Sequence, residues 1–128
     1  MKGNSKIVNN KLALFEEKTI RKTWENSKWY FSIEDVVFAL TESKAPKQYI
    51  NKLRKRDEYL SEGWEQIVHT LKMETKGRKQ NINCADTEGI LCIIKSIPSP
   101  KAEPFKRWLA KVGSERIEEI IIQNLNSN

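Results

Sequence analysis

DTEGILCIIKSIPSPKAEPFKRWLAKVGSERIEEI, residues Asp86 to Ile120, lays out the helical half of this protein. Asp86 stands where a helix N-cap acceptor belongs. Ile90, Leu91, Ile93 and Ile94 then cover a wide apolar face, so a helix is expected from Glu88 to about Ile97. Ser99-Pro100 opens a second, longer helix on which Phe105, Trp108, Leu109 and Val112 share one side, with Pro104 still in its first turn. Ile117, Ile120 and Ile121 fall out of that register, which predicts a bend or break near Gly113. Lys101, Lys106, Arg107 and Lys111 decorate this helix and need no role beyond solvation.

Upstream, the periodicity changes from helical to alternating. Residues 1 to 10 are polar and without period, and read as a frayed terminus. Leu12 to Phe15 reads as a short strand. Ile20 to Trp24 and Trp29 to Phe31 flank a turn at Asn26-Ser27, a first β-hairpin. Ser32 caps a short helix from about 33 to 41 carrying Ile33, Val36, Val37 and Leu40, and Pro46 opens another through about Arg56, buried along Tyr49, Ile50 and Leu53. Gln66 to Met73 alternates, and the basic turn Thr75 to Lys79 returns to a strand near Ile82 to Cys84, a second hairpin. Trp29 and Phe31 read as core rather than as a stacking surface for single strands, whereas Phe38 points away from its helix stripe. The expectation is one α+β domain over residues 11–122: a small antiparallel sheet from two β-hairpins packed against four or five helices.

Composition narrows the function classes. The chain has 128 residues, 38% hydrophobic and 31% charged, enough apolar content for one core with a well-solvated surface. No apolar run approaches the roughly 20 residues that span a bilayer, and no signal-peptide core follows Met1, so a cytoplasmic protein is expected. Lys and Arg outnumber Asp and Glu by 23 to 17, a balance that favours a polyanionic partner. Cys84 and Cys92 lack neighbours at zinc-ligand spacing and read as two buried free thiols. His69 is the sole histidine, placed on the Ile67-Leu71-Met73 side of its strand, and no nucleophile, metalloprotease or phosphate-loop motif accompanies it. An enzyme is not expected, and no cofactor is implied.

The sharpest candidate site is the Pro46 to Arg56 helix. With Tyr49, Ile50 and Leu53 inward, Lys47, Gln48, Asn51 and Lys55 face outward, flanked by Lys52 and Arg54 and preceded by Lys44. Gln and Asn can pair with an adenine edge, Lys and Arg can reach guanine or phosphate, and a helix fits the major groove. Together with the preceding helix this forms a helix-turn-helix-like pair, although Thr41-Glu42-Ser43-Lys44 lacks the usual turn glycine and runs about one residue long. Lys72, Lys76, Arg78 and Lys79 form a second basic cluster on the later hairpin, suited either to phosphate contact or to keeping a turn soluble.

These segments also resemble a known family. The Asp86 to Ile120 stretch, together with Trp29-Tyr30-Phe31-Ser32, Asp35-Val36-Val37, Ala39-Leu40-Thr41 and the Pro-opened basic helix, is similar to the Bro-N domain. That domain is the N-terminal module of baculovirus BRO proteins, phage and prophage antirepressors and DNA-damage-inducible protein D-like proteins. The resemblance spans about residues 18 to 120 and implies a nucleic-acid-associated regulatory module acting on duplex DNA. The alternative it permits is a module that binds and inactivates a repressor protein without touching DNA. Ile120-Ile121-Ile122, with Leu125 inside the polar tail at 123–128, read as a junction to a further domain or an oligomer contact.

Overall fold

A computed structural model describes residues 10–75 and 77–114. The terminal residues 1–9, the Ile117 to Leu125 apolar cluster and Lys76 lie outside the described residues. Strands β1 (Asn10–Phe15), β2 (Lys18–Glu25) and β3 (Lys28–Ser32) lead into α1 (Ile33–Thr41), α2 (Pro46–Arg56) and α3 (Glu58–Ile67). A hairpin of β4 (His69–Thr75) and β5 (Arg78–Asp86) follows, then α4 (Thr87–Lys95) and α5 (Ala102–Gly113). The strands form one five-stranded antiparallel sheet in the order β1-β2-β3-β5-β4, so the fold is α+β as expected.

Local chemistry explains the turns. Asn26 and Ser27 both take positive φ, 51° and 63°, the left-handed pair that joins twisted strands tightly. Glu16 and Glu17 do the same at 50° and 70°. Neither is a favoured turn residue, but the ammonium of Lys101 lies 3.3 Å from Glu16 and ties that turn to the start of α5. Trp108 donates its indole N–H to the Leu14 carbonyl at 2.8 Å, and Phe105 meets Phe15 edge-on at 4.9 Å, which seats α5 beneath β1.

Ser32 ends β3 and caps α1, its hydroxyl accepting from the Asp35 backbone N–H. Ile20, Phe31, Val36, Leu53, Ile93 and Leu109 are among the residues that close the main core between sheet and helices. Tyr30, Met73 and Cys84 make a smaller cluster with Leu71 and Ile82.

Several expectations are corrected. Glu58–Ile67 is a helix, so β4 starts at His69 rather than Gln66. Its signals were thin: Leu60, Trp64 and Ile67 form a single stripe interrupted by Gly63, and Asp57 serves both as the end of α2 and as the N-cap of α3. That carboxylate accepts from the Leu60 N–H and from the Ser96 hydroxyl, which together hold it below the ordinary aspartate range. The last helix begins at Ala102, with Ser99 and Pro100 in the turn before it. Tyr49 is only half-buried. His69 is exposed, its ring 5.1 Å from Tyr30.

Cys84 is buried and donates to the His69 carbonyl, and burial pushes its thiol up to about 12. Cys92 is exposed instead, because the buried arc of α4 runs through Ile90, Ile93 and Ile94 and leaves Cys92 outside it. Iodoacetamide should therefore modify Cys92 in the native protein and Cys84 only in denaturant, as fragmentation mass spectrometry of the single tryptic peptide from Gln80 to Lys95, which carries both thiols, would show.

Gly89 sits where α3, β5 and α4 converge. A Cβ there would stand 2.9 Å from the Ala85 Cβ and 3.0 Å from the Ile67 Cγ2. The Ala85 methyl is fixed to its strand and cannot move aside. Overpacking of this kind costs about 1–3 kcal/mol, against a helix-propensity gain near 1 kcal/mol, so Gly89→Ala should lower the thermal midpoint. An unchanged or raised midpoint would contradict this close approach.

Candidate nucleic-acid interface

The amphipathic split of α2 is as its sequence dictates. Ile50 and Leu53 are buried, while Lys47, Gln48, Asn51, Lys52 and Lys55 are exposed, and Lys44 is exposed just ahead of the helix. Glu42 takes the left-handed conformation, φ 57°, at the end of α1, the place a turn glycine would occupy. Its carboxylate lies 2.6 Å from Lys101 and 3.5 Å from Lys18, which keeps it below the usual glutamate range and offsets the awkward backbone angle. Ser43 and Ala45 donate backbone N–H groups to the Thr41 and Ser43 hydroxyls, so the α1–α2 connection is ordered without glycine.

α2 carries Lys47, Lys52, Arg54, Lys55 and Arg56 and no acidic residue, and its last-turn cations complement the negative end of the helix dipole. Lys47 approaches Glu34 at 4.0 Å, an exposed contact of little energetic weight. Among the described residues, no ion pair engages Lys52, Arg54, Lys55 or Arg56. Elsewhere several cations are paired: Arg21 grips Asp35, Lys28 reaches Asp86 at 3.3 Å and has its pKa raised by it, and Glu42 raises that of Lys101, although among the described residues Lys95, Arg107 and Lys111 also meet no carboxylate. The basic face of α2 thus keeps its charge available.

Arg54 is not simply a flanking residue. Its guanidinium lies over the Trp64 ring, 4.7 Å from the centroid, on the edge of an open cleft of 290 Å³ lined by Asn51, Arg54, Lys55 and Ser61. Ser61 and Trp64 escaped the sequence reading because the helix that carries them did. Arg56, exposed in the last turn of α2, was visible in the sequence and belongs to the same basic surface.

The second basic cluster is divided. Arg78 and Lys79 belong to β5 rather than to a turn. The register pairs Thr75 with Arg78 and Glu74 with Lys79, so Arg78 and Lys79 project from opposite faces of the hairpin. Lys72 shares the Lys79 face, where Glu74 stands directly across from Lys79. β5 and α2 both pack on α1.

A larger cleft of 480 Å³ lies between Trp24, Trp29 and the start of α4, but its one cation, Lys28, is paired with Asp86, and Glu88 adds a further carboxylate, a charge balance unsuited to a polyanion. No group of three or more potential metal ligands occurs among the described residues, and no helix there is long and apolar enough to cross a membrane.

Comparison with curated proteins and with solved structures finds no match. The profile of the BRO family, N-terminal domain, does match, over residues 19–117 and hence most of the chain, and on that match the protein belongs to the BRO family through a Bro-N domain.

Proposed function

We propose that this Bro-N domain is the DNA-binding regulatory module of a prophage or mobile-element antirepressor-type protein. α2 is the reading helix, braced by α1 in the manner of a helix-turn-helix. Lys44, Lys47, Lys52 and Lys55 meet phosphates, and Gln48 and Asn51 face base edges. Arg78 and Lys79 add contacts from the hairpin, on one face at a time. The observation that carries the reading is the exposed outer side of α2, where two amides stand among cations with almost no carboxylate opposite them. No cofactor takes part.

Fluorescence anisotropy against random duplex at several salt concentrations tests it. Non-specific affinity should fall in the range of about 10⁻⁴ to 10⁻⁶ M and weaken steeply with salt. Lys47→Ala with Lys55→Ala should weaken binding to every duplex and reduce the log–log salt slope by about 0.9 per lost phosphate contact, with the fold intact. Gln48→Ala or Asn51→Ala should instead cost discrimination between sequences, by about 1–3 kcal/mol where a paired base contact is lost. Wild-type binding by all three variants would reduce the basic face to a solvated surface.

The second reading, a module that captures a repressor, is favoured by Leu12 and Leu14. Both are well exposed on one face of the edge strand β1. An apolar protein interface of that kind would tolerate salt that abolishes phosphate binding.

A further inference from the structure

We infer that the cleft between α2 and α3 holds one phosphate group of the bound nucleic acid, gripped by Arg54, Lys55 and Ser61, with Asn51 on its lining. The inference rests on the DNA-binding reading and adds the contact at which the duplex path ends.

The two helices meet at a corner one residue long, Asp57, so the last turn of α2 and the first turns of α3 face each other across a short gap. Into that gap the sequence places an amide, a guanidinium, an ammonium and a hydroxyl, all able to donate, around a cleft of 290 Å³. Arg54 is the notable member. Its flat face rests on Trp64, and its Nε is buried with no hydrogen-bond partner. Among the described residues no carboxylate meets it.

Arg21 shows what a structural arginine looks like in this fold: its guanidinium bonds both oxygens of Asp35 and the Ser32 hydroxyl. Arg54 is instead stacked on Trp64, and its donors are uncommitted. A planar guanidinium already fixed by an aromatic ring loses little freedom when it binds an anion, and its fork matches phosphate oxygens.

The charge pattern also explains why the contact is terminal. Outside the cleft lining, α3 exposes Glu58 ahead of Ser61 and Glu62 and Glu65 after it, and carries no basic residue. A polyanion gains along α2 and is repelled along α3, so the phosphate in the cleft is the last one engaged at this end.

Ser61→Asp, at an exposed position, places a carboxylate in the cleft, and Gln66→Asp adds the same charge to α3 outside it. In low-salt anisotropy with random duplex, Ser61→Asp should weaken binding about tenfold, and Gln66→Asp no more than about two- to threefold. Arg54→Gln should lower the salt slope by about 0.9, one phosphate contact. Thermal melts report whether each variant is folded, and the Ser61→Asp against Gln66→Asp comparison stands even if Arg54→Gln is destabilised. Equal losses in the two aspartate variants, with wild type binding DNA, overturn the cleft while leaving the DNA reading intact. No binding by wild type at low salt removes the DNA reading itself, and the cleft assignment with it.

Discussion

Leu53→Ala is expected to remove about 2–5 kcal/mol of stability, the range for emptying a large aliphatic side chain from a packed core. Leu53 is 1% exposed on the inner side of α2, where the helix joins the main core. The α2 backbone is held at both ends, by the corner at Asp57 and by the ordered turn after Thr41, so it cannot collapse into the space left behind. Domains of this size are stable by roughly 5–15 kcal/mol, and the loss is therefore a large share of the total. Urea denaturation should show a lower midpoint with an unchanged slope. Gln48→Ala, on the exposed side of the same helix, should fall within about 0.5 kcal/mol of wild type. A reversed order of effects would mean that α2 presents the other face to the core, and the proposed DNA surface would fall with it.

The second large effect is expected at Asp35. Its carboxylate accepts from Arg21 Nε at 2.8 Å, from Arg21 Nη2 at 3.0 Å and from the Arg21 backbone N–H at 2.9 Å, a fork that ties β2 to the first turn of α1. These bonds hold the guanidinium in its charged form, pushing Arg21 above its already high value against the opposing effect of burial. Both side chains are about four-fifths covered, with 19% and 18% exposed. Asp35→Ala would leave a largely covered cation and a backbone donor without their acceptor, at a cost of about 2–4 kcal/mol after allowance for the remaining solvent access. Arg21→Ala removes the charge itself, and a double-mutant cycle should give a coupling of about 1–3 kcal/mol. Because α1 carries α2, Asp35→Ala should also weaken DNA binding although it touches no phosphate. A coupling near zero would show that the fork contributes nothing beyond packing.

Much of this fold was readable because short-range chemistry decides it. Alternation around Asn26-Ser27 specifies a hairpin, since a one-residue slip would turn Ile20, Trp29 and Phe31 to water. Pro46 pre-sets the start of α2, and Ile50 and Leu53, with Tyr49 half-buried beside them, fix its rotation, because the rest of that helix is polar or charged. Lys47, Gln48, Asn51, Lys52 and Lys55 follow as its outer side by geometry alone.

What escaped the sequence depends on contacts between distant segments. α3 has a short apolar stripe of its own, and it is anchored by Asp57, whose carboxylate is shared by the Leu60 N–H and the Ser96 hydroxyl thirty-nine residues away. Cys92 is outside because the rotation of α4 is set by the close approach of Gly89 to Ala85 and Ile67. Arg78 and Lys79 part company because strand pairing, not proximity in sequence, assigns their faces. Arg54 becomes a fixed donor on a cleft only when Trp64 is brought beneath it. The sequence by itself determined which face of α2 is polar, since a helix must bury its few apolar residues. Tertiary structure alone decided which cations on that helix are held in place, because that requires partners supplied by another element.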